Sequence, residues 1–191
     1  MRIIAGTNKG EKIYGPGPAE IRPMREVVRR GLFDTLRQVV ENSKFLDLFA
    51  GTGSVGLEAL SRGASQVTFV DQLDSSVKLI KKNLDRLGFQ NRARVYQRDV
   101  FSALELFQRR DRRFDLVFLG PPYQSNLDRE VLKHLGDCRV VRSNGIAIVE
   151  VFSKTDLPEQ FGELDLIQIS EYGQNKLVFY RQKMPATSDS S

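Results

Sequence analysis

The sequence predicts an α/β fold built on a mostly parallel sheet. Three observations carry this reading. Short, nearly continuous apolar runs recur along the chain. Amphipathic runs with helical spacing alternate with them. The last two strand-like runs have no helix between them, so they should pair antiparallel at the sheet edge. Near-continuous apolar strands separated by helices imply a sheet covered on both faces, which places the chain in the Rossmann-like class. The length of 191 residues suits one domain with a small appendage.

The elements follow in order. Arg2 to Ile13 reads as a hairpin turning at Gly6-Thr7-Asn8-Lys9-Gly10, and Tyr14 to Pro18 as a turn-rich connector. Val27 to Val40 reads as a helix, with Val28, Leu32, Leu36 and Val39 near helical spacing. Lys44 to Phe49 is a strand, Val55 to Arg62 a helix ended by Gly63, and Gln66 to Val70 a strand. Ser75 to Leu87 carries Val77, Ile80, Leu84 and Leu87 on one helical stripe. Arg94 to Tyr96 is a strand, Ser102 to Arg110 a helix, Phe114 to Leu119 a strand and Leu127 to Leu135 a helix. Strands follow at Gly145 to Phe152, Leu164 to Tyr172 and Lys176 to Arg181, the last two around Gly173. The division is therefore a basic arm at 1–26, a main domain at 27–181 and a polar tail at 182–191, expected to be disordered.

Composition excludes several classes. Hydrophobic residues at 40% and charged residues at 28% rule out a collagen, a disulfide scaffold and a wholly disordered chain. Cys138 is the only cysteine, so no internal disulfide forms, and a reducing compartment is expected. No run approaches the ~18 apolar residues of a membrane span. The apolar run at Met1 to Gly6 is too short for a signal peptide, and a cytoplasmic location is expected. Net charge is +5. Residues 1–30 hold seven Lys or Arg against three acids, +4 of that total. Such an arm suits a polyanionic partner, or is simply a solvated basic face.

Ligands of parallel α/β sheets bind beyond the carboxyl ends of the strands. Four pieces fall there. Gly51, Gly53 and Gly56 form G-x-G-x-x-G between a strand and a helix, where small residues let a ligand approach backbone amides or merely form a tight turn. Asp71 follows Gly51 by 20 residues, the spacing of a carboxylate that receives ribose hydroxyls, and could also be an N-cap. Asp99 stands after the third strand, where it could meet an adenine amino group or cap a helix. Gly120-Pro121-Pro122-Tyr123 ends the fourth strand with a rigid turn. No Gly-Lys-Ser/Thr follows the glycines, which disfavours an NTPase, and no metal-ligand spacing is present.

These pieces resemble the RsmD family of 16S rRNA (guanine-N2)-methyltransferases. The resemblance runs from Met1-Arg2-Ile3-Ile4-Ala5-Gly6 to Tyr172–Tyr180 and is most specific at four stretches. They are Ile21-Arg22-Pro23, Leu32-Phe33, Leu46–Gly53 and Gly56–Ala64, with Pro121-Pro122-Tyr123 as a further match. It implies the seven-stranded S-adenosylmethionine-dependent methyltransferase fold with a small N-terminal hairpin and helix extension. By position, it places Asp47, Ala50, Gly51, Thr52 and Gly53 at the methionine and ribose side of the cofactor. Asp71 and Gln72 would lie at the ribose, and Asp99 and Val100 at the adenine. Gly120, Pro121, Pro122 and Tyr123 would receive the target base, with Arg22, Pro23 and Lys9 facing the RNA. The implied partner is 16S rRNA, with S-adenosylhomocysteine as product and no metal; naked RNA or a small-subunit assembly particle stays open as the form of the substrate, with the particle favoured, and a monomer without membrane association is the general expectation.

The chain departs from the family at three positions. Gly120 replaces the Asp of D-P-P-Y, Met24 replaces a Thr, and Arg30 replaces a Glu. Without the acid, only main-chain carbonyls of Gly120 and Pro121, with Gln124 or Ser125, remain at the turn. The resemblance therefore implies a weakened enzyme. A methyltransferase-like RNA-binding or assembly factor stays open, as does an amino-methyltransferase acting on DNA adenine or a protein amide.

Overall fold

The computed structural model describes residues 1–15, 24–122 and 126–184. Its parallel strands are β1 (Lys44–Leu48), β2 (Gln66–Asp71), β3 (Ala93–Gln97), β4 (Phe114–Leu119) and β5 (Val141–Phe152). Three further strands, β6 (Gln160–Phe161), β7 (Leu164–Tyr172) and β8 (Asn175–Gln182), close one edge. The order across the sheet is β3-β2-β1-β4-β5-β8-β7-β6. β1 to β5 pair parallel, and β8 pairs antiparallel with both β5 and β7. This is the Rossmann-like α/β architecture that the sequence predicts, with a two-residue eighth strand added to the expected seven. That extra strand pairs Phe161 with Leu164 through a tight turn in which Gly162 is left-handed, with φ 54°.

Alternation along the strands sorts the core into two layers. Phe45, Phe69, Leu116, Phe118 and Ile148 face α1 (Glu26–Thr35), α2 (Ser54–Ser61) and α3 (Asp74–Leu87). Leu46, Val70, Val117, Leu119 and Val149 face α4 (Val100–Arg109) and α5 (Leu127–Asp137). Strand order reverses between β1 and β4. A parallel sheet with such a reversal opens a crevice at its carboxyl edge there.

Several boundaries differ from the sequence reading for local reasons. α1 stops at Thr35 rather than Val40. The β-branched pair Val39-Val40 lies in a turn instead, and Asn42 takes the left-handed region with φ 61° while donating its N–H to Gly63 O at 2.8 Å. β5 begins at Val141 rather than Gly145, because a register shift opposite β4 absorbs the extra residues. β8 continues to Gln182, one residue into the expected tail, and Lys183 N donates to Glu163 O at 2.9 Å. Residues 185–191 lie outside the described residues.

The N-terminal hairpin is short: around the Arg2–Lys12 bridge, Ile3 N donates to Glu11 O, Gly10 N to Ile3 O and Ile13 N to Met1 O. Several of its other backbone donors are spent on α2 instead. Ile4 N and Ala5 N donate to the two oxygens of Glu58 at 2.8 and 3.0 Å. Thr7 N donates to Ser61 O at 2.8 Å, and Asn8 N to Ser61 Oγ at 3.0 Å. A Cβ on Gly6 would meet Ser61 O at 1.9 Å, so only glycine permits this approach. Arg29 completes the joint, donating to Arg2 O at 2.7 Å with its Nε 4.0 Å from buried Glu58. No helix among the described residues is long and apolar enough to cross a membrane.

Candidate functional site

A cavity of about 520 Å³ opens at the carboxyl ends of β1, β2 and β4. β1 ends in a loop that must turn sharply to start α2. Phe49 is left-handed with φ 58°, as are Gly51 at 53° and Gly53 at 75°. A left-handed aromatic is strained, and such residues gather at functional sites. Gly56 N donates to Asp47 Oδ2 at 2.9 Å, so the carboxyl ties the strand end to the first turn of α2. Gly56 must lack a side chain, since a Cβ there would lie 2.3 Å from the Phe69 ring. Asp47 is buried, and that burial pushes its carboxyl up to about 8. The charge of Asp71 adds to the rise and the Gly56 N–H opposes it.

Asp71 binds the loop from β2. Its Oδ2 accepts from Gly51 N at 2.8 Å, and its Oδ1 accepts from Leu73 N at 2.9 Å. It is not the N-cap of α3; that position belongs to Leu73, which makes no side-chain cap. Asp99 is the N-cap of α4 and accepts from Ser102 N at 3.0 Å, in agreement with the capping alternative. Hydrogen bonds from Ser102 hold its carboxyl below the usual range. It nevertheless also borders the cavity, beside Val100.

Asp47, Ala50, Gly51, Thr52, Asp71, Gln72, Asp99, Val100, Gly120, Pro121 and Pro122 all line this one cavity. Gly53 sits just behind it as the N-cap of α2. Lys9 is not among them. Its neighbour Asn8 bonds Ser61 and Leu87, the last residues of α2 and α3, so the hairpin turn lies at the far ends of the helices whose first turns border the cavity. Arg22, Pro23 and Tyr123 lie outside the described residues. The Arg109–Arg113 cluster sits at the amino end of β4, away from the cavity. Arg112 there is a packing residue, donating to Tyr96 Oη at 2.8 Å and Thr68 Oγ1 at 3.2 Å, while Arg113 pairs with Asp111.

Three lining residues carry little signal in the sequence. Phe49 is set apart only by its backbone. Ser76 gives no motif, yet its hydroxyl is buried without a hydrogen-bond partner among the described residues. Glu150 stands out only as the lone acid in the apolar run Ile146 to Phe152.

A family model described as Conserved hypothetical protein 95 matches residues 1–181. The chain is 35% identical over 151 residues to Ribosomal RNA small subunit methyltransferase D of Haemophilus influenzae, covering 78% of each chain. It is 31% identical over 189 residues to the protein of that name in Escherichia coli K12, covering 99% of this chain and 93% of the other. The chain belongs to the RsmD family. A solved Escherichia coli structure, 31% identical, superposes with a TM-score of 0.84 over 96% of this chain and 98% of the other. At 14% identity, an RNA methyltransferase from Salinibacter ruber in complex with S-adenosyl-L-homocysteine shares the fold, with a TM-score of 0.64 over 89% of this chain and 99% of that one. The RsmD fold here thus carries its glycine-rich loop, acidic strand ends and diproline turn around one opening.

Proposed function

We propose that this protein transfers a methyl group from S-adenosylmethionine to the exocyclic N2 of a guanine in 16S rRNA. The observation that carries the reading is the convergence of the β1 loop, Asp71, Asp99 and the Gly120-Pro121-Pro122 turn on one cavity. The names of its RsmD relatives favour small-subunit rRNA as substrate.

The residues present fit such a nucleoside. The cavity volume falls in the ~300–1,000 Å³ range of small-molecule sites. The orphaned Ser76 hydroxyl would be satisfied by a polar ligand group. Each Asp71 oxygen accepts one backbone bond, and a carboxylate has about four acceptor positions, so ribose hydroxyls can share it. Gly51 and its neighbours would face the methionine end, Asp71 and Gln72 the ribose, and Asp99 with Val100 the adenine. When bound, S-adenosylmethionine supplies a methyl group on a positively charged sulfur.

The chain's own part is to position a base and accept its amino hydrogens. The guanine N2 lone pair is delocalised into the ring and needs an acceptor on its N–H groups as charge develops. The diproline turn fixes carbonyls beside the cavity. Tyr123 would stack on the extruded base, worth ~1–3 kcal/mol. Arg22, Pro23 and the basic arm would bind the RNA, with a monomer acting on rRNA or an assembly particle in the cytoplasm. Removing one preorganised acceptor typically lowers a rate roughly 10²–10³-fold. A site left with only the main-chain carbonyls of the Gly120 turn, and no other acceptor, would be slow to that degree.

Gly120, Met24 and Arg30 favour a second reading, an RNA-binding assembly factor with little turnover. Mass spectrometry of 16S rRNA from cells with and without the protein separates the two. The methyltransferase reading expects an N2-methylguanine absent only from the deletion strain. An identical modification profile in both strains overturns it.

A further inference from the structure

The geometry points to Glu150 as the carboxylate that receives the amino hydrogens of the target base, in place of the acid that Gly120 does not provide. The inference rests on the methyl-transfer reading above and adds a catalytic residue to it. β4 and β5 run parallel with Leu119 opposite Val149, so the next step along both strands sets Gly120 beside Glu150 at the carboxyl edge. Phe118 and Ile148 belong to one core layer, and alternation sends Glu150 to that same face. A Cβ on Gly120 would also approach Phe118, at 3.2 Å. Glu150 and Gly120 both line the cavity with Pro121 and Pro122. A carboxylate therefore stands next to the one position from which the family's acid is missing.

Glu150 is 6% exposed between buried Val149 and Val151. A buried carboxylate is tolerated when hydrogen bonds hold it. Asn175, the first residue of β8 and itself buried, donates Nδ2 to Glu150 Oε1 at 2.6 Å. That amide donor fixes the orientation of the group, and an ionised carboxylate has about four acceptor positions. The cavity-facing carboxylate is thus preorganised rather than mobile, which is what stabilisation of developing charge requires.

The chemistry balances. The amino nitrogen's lone pair forms the new N–C bond as the S–C bond to the methyl breaks and its electron pair stays on sulfur. The nitrogen becomes positively charged and sheds one N–H proton. Glu150 accepts the hydrogen bond as that charge grows, takes the proton and passes it to water.

Glu150→Gln keeps the oxygen that Asn175 binds and removes the charge. Single-turnover methyl transfer to 16S rRNA from a deletion strain is expected to fall about 10²–10³-fold. Calorimetric affinity for S-adenosylhomocysteine and the thermal midpoint should hold. Gly120→Asp in the Glu150→Gln background is expected to recover at least about tenfold, since it restores a carboxylate at the neighbouring position. In the parental protein the same Gly120→Asp should lower the rate, because a second carboxylate beside buried Glu150 disfavours the charged form that accepts the amino hydrogens. A merely structural Glu150 would not produce this reversal of sign. Parental-rate transfer by Glu150→Gln, or an equal fall in S-adenosylhomocysteine affinity, overturns the inference. Should Glu150→Gln fail to fold, Gly120→Asp decides alone: a faster parental enzyme overturns it. Absence of transfer by the parental protein to rRNA or small-subunit particles overturns the methyltransferase reading itself, and this inference with it.

Discussion

Two carboxylates at neighbouring strand ends do different work because their surroundings differ. Asp71 is only partly buried and takes two backbone N–H groups, one from Gly51 and one from Leu73. Asp71→Ala removes both acceptors and releases the Gly51 turn. Calorimetry should show S-adenosylhomocysteine affinity falling about 10–100-fold, the range of hydrogen bonds to charged groups at ~1.5–3 kcal/mol. Asp47 is buried, and its carboxyl is raised to about 8. In the folded protein it stays protonated to that pH, whereas the unfolded chain releases the proton near ~4. The folded state therefore binds the extra proton, and stability falls as pH rises between these values. Thermal melts of Asp47→Asn, which cannot ionise, should gain on the parental protein steadily from about pH 4 to about pH 8 and then level off. A constant difference across that window would mean that Asp47 is ionised in the fold.

At the scale of elements, the joint between the N-terminal hairpin and α2 leaves no room for a Cβ on Gly6, which would meet Ser61 O at 1.9 Å. Glu58 is fully buried, accepts from Ile4 and Ala5, and accepts from Arg62 Nε at 2.8 Å. Glu58→Ala would strand the buried Arg29 guanidinium, and breaking one partner of a buried pair typically costs ~3–5 kcal/mol. Urea unfolding should show that drop in stability, and hydrogen exchange should show early opening of residues 2–13. Apolar spacing makes β1, β2, β4 and the antiparallel pair of β7 and β8 legible in the sequence. The end of α1 is not, because Leu36, Val39 and Val40 suit a helical stripe and equally well the turn they form. The hairpin is legible as a turn, but its partner is not. The backbone donors of Ile4, Ala5, Thr7 and Asn8 go to Glu58 and Ser61, which are more than fifty residues away in sequence. The candidate site shows the same division. Gly51, Asp71, Asp99 and the diproline turn advertise themselves by residue type at strand ends. Phe49, Ser76 and Glu150 become visible only when register and burial are known.

For the whole molecule, charge and cavity lie in different places. The cavity edge carries Asp47, Asp71, Asp99 and Glu150, while the excess cations sit on the first 30 residues. Lys9 and the hairpin turn stand at the opposite ends of α2 and α3, so an RNA that reached both would have to wrap one flank of the protein. Filter-binding with 16S rRNA should weaken with salt, and Lys9→Ala with Lys12→Ala should flatten the log–log slope by about 0.7–0.9 for each phosphate no longer neutralised. An unchanged slope would make the arm a solvated face. The proposed cofactor site does not use that surface, and it underlies the whole functional account. Its most direct measurement is a calorimetric titration of the protein with S-adenosylhomocysteine. One saturable site, weakened by Asp71→Ala, is the predicted result. No binding, or binding that Asp71→Ala leaves untouched, would contradict the placement of the nucleoside in this cavity.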